Sequence, residues 1–224
     1  MNARRSWALS RYGLAIALLA AITSGLLYPG GTVLDASTRG YSFTHNFLSD
    51  LGSTVAFNDG RNTLGALLFD VAIIVAVVVL AGTFIAVVRL LSTAPRGAAF
   101  ARLAAVAGAV VCVGFLGVAF TPLDRAFRLH RVSSLLAFYS FPVATALLAV
   151  ATLRDGRFRA RAMLGWATLT VVLVSFIGMA HLGPSVATER GVMTQVITQK
   201  IMAVTVLVVL WLESTEAEAA SGRA

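Results

Sequence analysis

Charge is what this sequence has least of. Only 12% of its 224 residues are Asp, Glu, Lys or Arg, against about a quarter in soluble domains. The deficit excludes an ordinary water-solvated domain, and a mean hydropathy of +0.85 agrees. Cysteine occurs once, as Cys112 inside an apolar run, which excludes a disulfide framework and a cysteine-based metal site. Lysine also occurs once, as Lys200. The net charge of +8 comes from arginines scattered in short segments between apolar runs. That pattern reads as a membrane orientation signal and headgroup contact rather than as a nucleic-acid surface.

What fills the chain is apolar sequence, 58% of the residues. It falls into six runs, at about 12–27, 63–88, 103–120, 132–153, 163–182 and 194–212. Each is close to the ~20 residues needed to cross a bilayer. The expected fold is therefore an all-α integral membrane protein, a six-transmembrane-helix bundle forming a single domain over 1–212, with a disordered tail at 213–224. The first run is read as a retained span rather than a cleaved leader. Tyr28-Pro-Gly-Gly31 ends it, Pro95-Arg-Gly97 marks a turn, and Pro142 predicts a kink in the fourth span.

Arginine placement predicts the orientation. With both termini cytoplasmic, Arg4, Arg5, Arg11, Arg89, Arg96, Arg102, Arg154, Arg157, Arg159, Arg161 and Arg223 lie inside, eleven of the 18 basic residues. The expected location is the cytoplasmic membrane of a prokaryote. Trp7, Trp166 and Trp211 then fall toward the inner interface, as an aromatic belt would.

The outer side in this topology carries the polar chemistry. The richest stretch is Tyr41-Ser-Phe-Thr-His-Asn-Phe-Leu-Ser-Asp-Leu-Gly52. Thr44 is a candidate cap for a short helix ended by Gly52, with His45 and Ser49 on one face. His45, Ser49 and Asp50, with Asp124 and His130, are the candidate catalytic groups: a nucleophile beside an acid/base is what acyl transfer requires. No G-x-S-x-G elbow accompanies them. Arg125, Arg128 and Arg131 suit an anionic ligand, because guanidinium forks match phosphate and carboxylate. His45, His130 and His181 are candidate zinc ligands with an open fourth position, although they show no H-x-x-x-H or H-E-x-x-H spacing. Asp70 and Lys200 are expected to form an ion pair, since a lone charge in hydrocarbon is expensive. Ala104, Gly108 and Cys112 form a small-residue stripe that would admit a protein partner or a second copy of the chain.

The polar stretch resembles the (I/F/L)-S-(D/E)-L-G signature of an uncharacterised prokaryotic family of six-helix membrane proteins, catalogued as a domain of unknown function. Phe120-Thr-Pro-Leu-Asp124, followed by His130 and Phe138, is similar to that family's second motif. Gln199-Lys200 before Trp211 is similar to its entry into the last helix. That family is in turn distantly similar to the damage-regulated autophagy modulators. The resemblance implies the six-helix fold and brings no activity with it.

Two readings of function follow. One is a non-enzymatic membrane protein that contacts lipid or a partner through its outer polar face. The other is a membrane-embedded hydrolase or transferase acting on lipid. Under either, the Ser49–Asp50 segment should pack on the Asp124–His130 connection, with Arg125 or Arg128 neutralising Asp50.

Overall fold

The computed structural model describes residues 3–93 and 96–221. It is all helical in its long elements: α1 (Ala3–Leu27), α2 (Thr63–Leu91), α3 (Ala98–Phe120), α4 (Phe127–Leu153), α5 (Ala160–Leu182) and α6 (Glu189–Ser221). All six are long and apolar enough to cross a membrane. Pro95 of the expected turn, and Arg223, lie outside the described residues.

Each helix packs on the next, and α6 packs back on α1 and α2, so the six close into a bundle. Specific contacts set the antiparallel order. Ser24, near the end of α1, bonds the main-chain oxygen of Gly65 at the start of α2 at 2.7 Å. Arg11, near the start of α1, pairs with Glu218 near the end of α6 at 3.1 Å. The inner stripe is apolar: Phe84, Val111, Phe141, Leu148, Trp166 and Leu173 are among its buried members. The outer surface is apolar too, with Leu26, Val78, Val106, Val113, Val171 and Val208 all exposed. Apolar residues on both faces are what a lipid-solvated bundle needs, and what a water-solvated one avoids.

Small residues decide how closely neighbouring helices approach. A Cβ on Gly114 of α3 would come within 2.5 Å of the Ala137 main chain of α4. Ala104 and Gly108 are buried, and Gly108 faces the Phe84 ring of α2. The stripe expected to receive a partner or a second copy is thus occupied within the chain, and Cys112 packs against the same core.

Two further expectations change. Residues 213–221 continue α6 instead of forming a disordered tail, and Glu213, Ser214, Glu216 and Ala217 are buried. Trp166 is a core residue edge-on to Phe84 rather than part of a belt, and Trp7 is buried as well. Pro142 lies inside α4, which is one continuous helical element. The bundle has a terminal end, holding both chain ends, and an opposite end. That opposite end is covered by the α1–α2 connection and is called the capped end below.

Candidate functional site

The α1–α2 connection is folded, not loose. Gly30, Gly31 and Gly40 have φ of 137°, 81° and 67°, conformations open mainly to glycine. They turn the chain back so that Gly31 N–H reaches the Thr38 oxygen at 2.9 Å and Gly40 N–H reaches Pro29 at 3.2 Å. The short helix in it is a single 3-10 turn, Leu48–Gly52. It begins after His45, so His45 and Ser49 do not share a helical face, and Thr44 does not cap it. Asp50 does the capping: its Oδ2 accepts the Phe47 N–H at 2.8 Å.

Asp50 is buried, and so is Asn46, whose Nδ2 donates to Asp50 Oδ2 at 3.1 Å and to the Gly31 oxygen at 3.0 Å. Asn46 Oδ1 accepts the Ser42 N–H at 2.9 Å. Lys200, about three helical turns into α6, is also buried, and its Nζ donates to the Asn46 main-chain oxygen at 2.6 Å. The Tyr41 hydroxyl donates to that same oxygen at 3.1 Å. The Tyr41 and Phe43 rings flank the ammonium, with centroids 5.2 and 5.1 Å away. Gln199 completes the join, its Oε1 accepting the Leu48 N–H at 2.8 Å. Burial raises the Asp50 pKa from the usual carboxylate range to about 6, against the opposing pull of the Asn46 and Phe47 hydrogen bonds and the Lys200 charge. Burial also lifts the Tyr28 phenol to about 12.

Lys200 is therefore the cation nearest in function to Asp50, and neither Arg125 nor Arg128 takes that place. Asp70 was the expected partner of Lys200; among the described residues no ion pair joins them. The Asp70 carboxyl sits close under Gly52, where an added Cβ would meet Oδ1 at 3.9 Å. Asp70 on α2 and Lys200 on α6 are candidates by depth alone, but the capping loop, through Asn46 and Gly52, takes the place beside each of them. Asn46 and Tyr41 carried no signal beyond their place in the polar stretch.

The first connection meets the third through Thr54, and not through the Ser49–Asp50 segment expected to make that contact. Thr54 N–H and Oγ1 both bond the Asp124 carboxylate, at 2.9 and 2.7 Å. Arg125 Nε donates to Thr54 Oγ1 at 2.9 Å. These bonds hold Asp124 below the usual carboxylate range despite some desolvation. His130 is buried, and its Nδ1 donates to the Thr121 carbonyl at 2.7 Å, closing the α3–α4 connection.

The three histidines do not converge. His45 Nδ1 is 2.8 Å from Thr44 Oγ1 and its Nε2 is 4.0 Å from exposed Glu189. His130 bonds Thr121, and His181 bonds the Tyr139 hydroxyl. Among the described residues no group of three or more His, Cys, Asp or Glu could hold a metal ion, so the zinc site read from His45, His130 and His181 is not assembled. Among the described residues the Ser49 hydroxyl has no base within hydrogen-bond reach, and the bonds that Asp50 accepts from Asn46 and Phe47 both fall on its Oδ2.

A six-helix bundle of lipid-compatible surface, closed at one end by a loop pinned through buried Asp50 and Lys200, defines a multi-pass membrane protein. The chain belongs to the family described as protein of unknown function DUF998, whose pattern it matches over residues 21–212. No curated protein and no solved structure matches it.

Proposed function

We propose that this chain is a non-enzymatic multi-pass membrane protein whose capped end binds anionic lipid headgroups, with both termini in the cytoplasm of a prokaryotic cell. One observation carries the reading: the start of α4 exposes cations and large apolar side chains together. Arg128 and Arg131 are exposed beside exposed Phe127, Leu129 and Val132. Thr145 of α4 meets Thr170 of α5 and Phe138 meets Phe176, a register that brings the end of α5 level with about Ser133, so the first part of α4, about 9 Å at 1.5 Å per residue, has no α5 beside it. A helix segment with mixed basic and apolar exposure suits a headgroup boundary, where guanidinium meets phosphate and apolar side chains enter acyl chains. Arg125, tied to Thr54, extends the same basic face.

The lipid-hydrolase reading has less support, because Ser49 lacks a base and the histidines are engaged elsewhere.

The test reconstitutes the purified protein with phosphatidylglycerol and phosphatidylcholine in equal amounts and reads the retained lipid by native mass spectrometry. Phosphatidylglycerol should be enriched, and the double variant Arg128→Ala/Arg131→Ala should lower that enrichment roughly thirtyfold, at about 1 kcal/mol per cation. Equal retention of both lipids by the wild-type protein would remove the proposal.

A further inference from the structure

At the terminal end of the bundle, far from the capping loop, α6 carries two buried acids on one face. Glu213 and Glu216 are 0% and 1% exposed. Arg161 of α5 reaches Glu216, its Nε donating to Oε1. Among the described residues, both oxygens of Glu213 and the second oxygen of Glu216 have no hydrogen-bond partner.

The space around Glu213 is made for it. Gly165 lies against it, and a Cβ there would come within 2.6 Å of Oε1. The indole N–H of fully buried Trp166 lies beside the Glu213 carboxyl, near enough to act on it but outside the geometry of a full hydrogen bond. A buried donor therefore stands next to the acidic pair without completing a bond to it.

We propose that Glu213 is a proton-binding site, its carboxyl holding a proton taken from water in the folded protein. The argument is one of charge balance. Two buried carboxylates face a single guanidinium, and a buried carboxylate with neither a counter-charge nor a hydrogen bond costs many kcal/mol, so the group neutralises instead. Among the described residues, the other cations at this end of the bundle are paired elsewhere or turned outward. Arg11 of α1 pairs with Glu218, and Arg89 of α2 is exposed. Glu216 holds the guanidinium of Arg161, so the proton belongs to Glu213. Trp166 N–H and the Gly165 gap then serve a neutral carboxyl that can turn its O–H within a small pocket. If Glu213 loses that proton, Arg161 comes between two carboxylates, so the α5–α6 contact responds to proton occupancy.

The test is infrared spectroscopy of the whole protein in lipid at neutral pH. A carboxylic-acid C=O band should be present, should disappear in Glu213→Gln, and should weaken in Glu216→Gln, where Arg161 becomes available to Glu213. Absence of any such band in the wild-type protein overturns the proposal, as does a band unchanged by Glu213→Gln. Should that variant fail to fold, dicyclohexylcarbodiimide, which adds to protonated carboxyls in apolar surroundings, assigns the wild-type band. An adduct mapped to Glu213 that declines as pH rises supports the site, and adducts only on other acids overturn it.

Discussion

Lys200 Nζ donates to the main-chain oxygen of Asn46 at 2.6 Å, across 154 residues of chain. This bond and the nearby Asp50 carboxylate pin the capping loop to α6. Lys200→Met should therefore destabilise the protein strongly, by about 3 kcal/mol, because it leaves Asp50 buried beside no cation. Thermal unfolding in detergent reads this. Lys200→Met combined with Asp50→Asn should lose less than the sum of the two single losses, and strict additivity would show that the two groups do not interact. Asp70→Asn, by contrast, should add independently to Lys200→Met.

The Asp50 pKa, about 6 in the folded protein, gives a pH dependence of definite sign. The folded value lies above the unfolded one near 3.9, so the favourable contribution belongs to the protonated form. It is fully present below about pH 4 and is lost as pH rises through 6. The wild-type protein should fall in stability relative to Asp50→Asn over that window, by up to about 3 kcal/mol. Unfolding midpoints of the two proteins that stay parallel from pH 4 to 7 would contradict the burial of this carboxyl.

Close helix packing predicts a contrast between two glycines. Gly114→Ala sets a Cβ against the Ala137 backbone, which cannot swing aside, and should cost about 1–3 kcal/mol. Gly82 on α2 has open space beside it, so Gly82→Ala should be neutral, or stabilising by up to about 1 kcal/mol. Equal effects of the two changes on the thermal midpoint would argue against the α3–α4 contact.

Orientation is testable on a Cys112→Ala background. Single cysteines at exposed Ser37 and Ser185 on the capped end should react with an impermeant thiol reagent in intact cells, and one at exposed Ser92 should not. The opposite pattern would place the termini outside.

Zinc should have no specific place here. Titration with zinc should leave the unfolding midpoint unchanged, and His45→Ala, His130→Ala and His181→Ala should not alter metal affinity. A stoichiometric zinc-induced rise that His130→Ala abolishes would show that the three rings can be brought together.

The spans, their number and the end of the molecule that gathers the polar residues were determined by the sequence alone. A run of about 20 apolar residues has few stable alternatives to a lipid-crossing helix, and six such runs with short connections alternate in direction. The special role of Tyr41–Gly52 was legible for a related reason, since polar groups are conspicuous where apolar ones are the rule. Pair choices were another matter. Asp50 and Lys200 are far apart in sequence, and Asp70 was as good a partner for Lys200 by depth alone. Only the folded path of the loop, turned by Gly30, Gly31 and Gly40, put the Asn46 oxygen and Asp50 in front of Lys200. The Gly108 stripe, by sequence, suits any neighbouring helix, and only the fold set it against Phe84. Glu213 and Glu216 read as a solvated tail, because the apolar run ends before them. The tertiary structure carried α6 one turn and more past that boundary, against α5, and so turned two acids of an apparent tail into buried groups. A sequence records where polar groups occur along the chain, but desolvation and charge pairing depend on which groups meet through space, and that was decided by the packing of the helices.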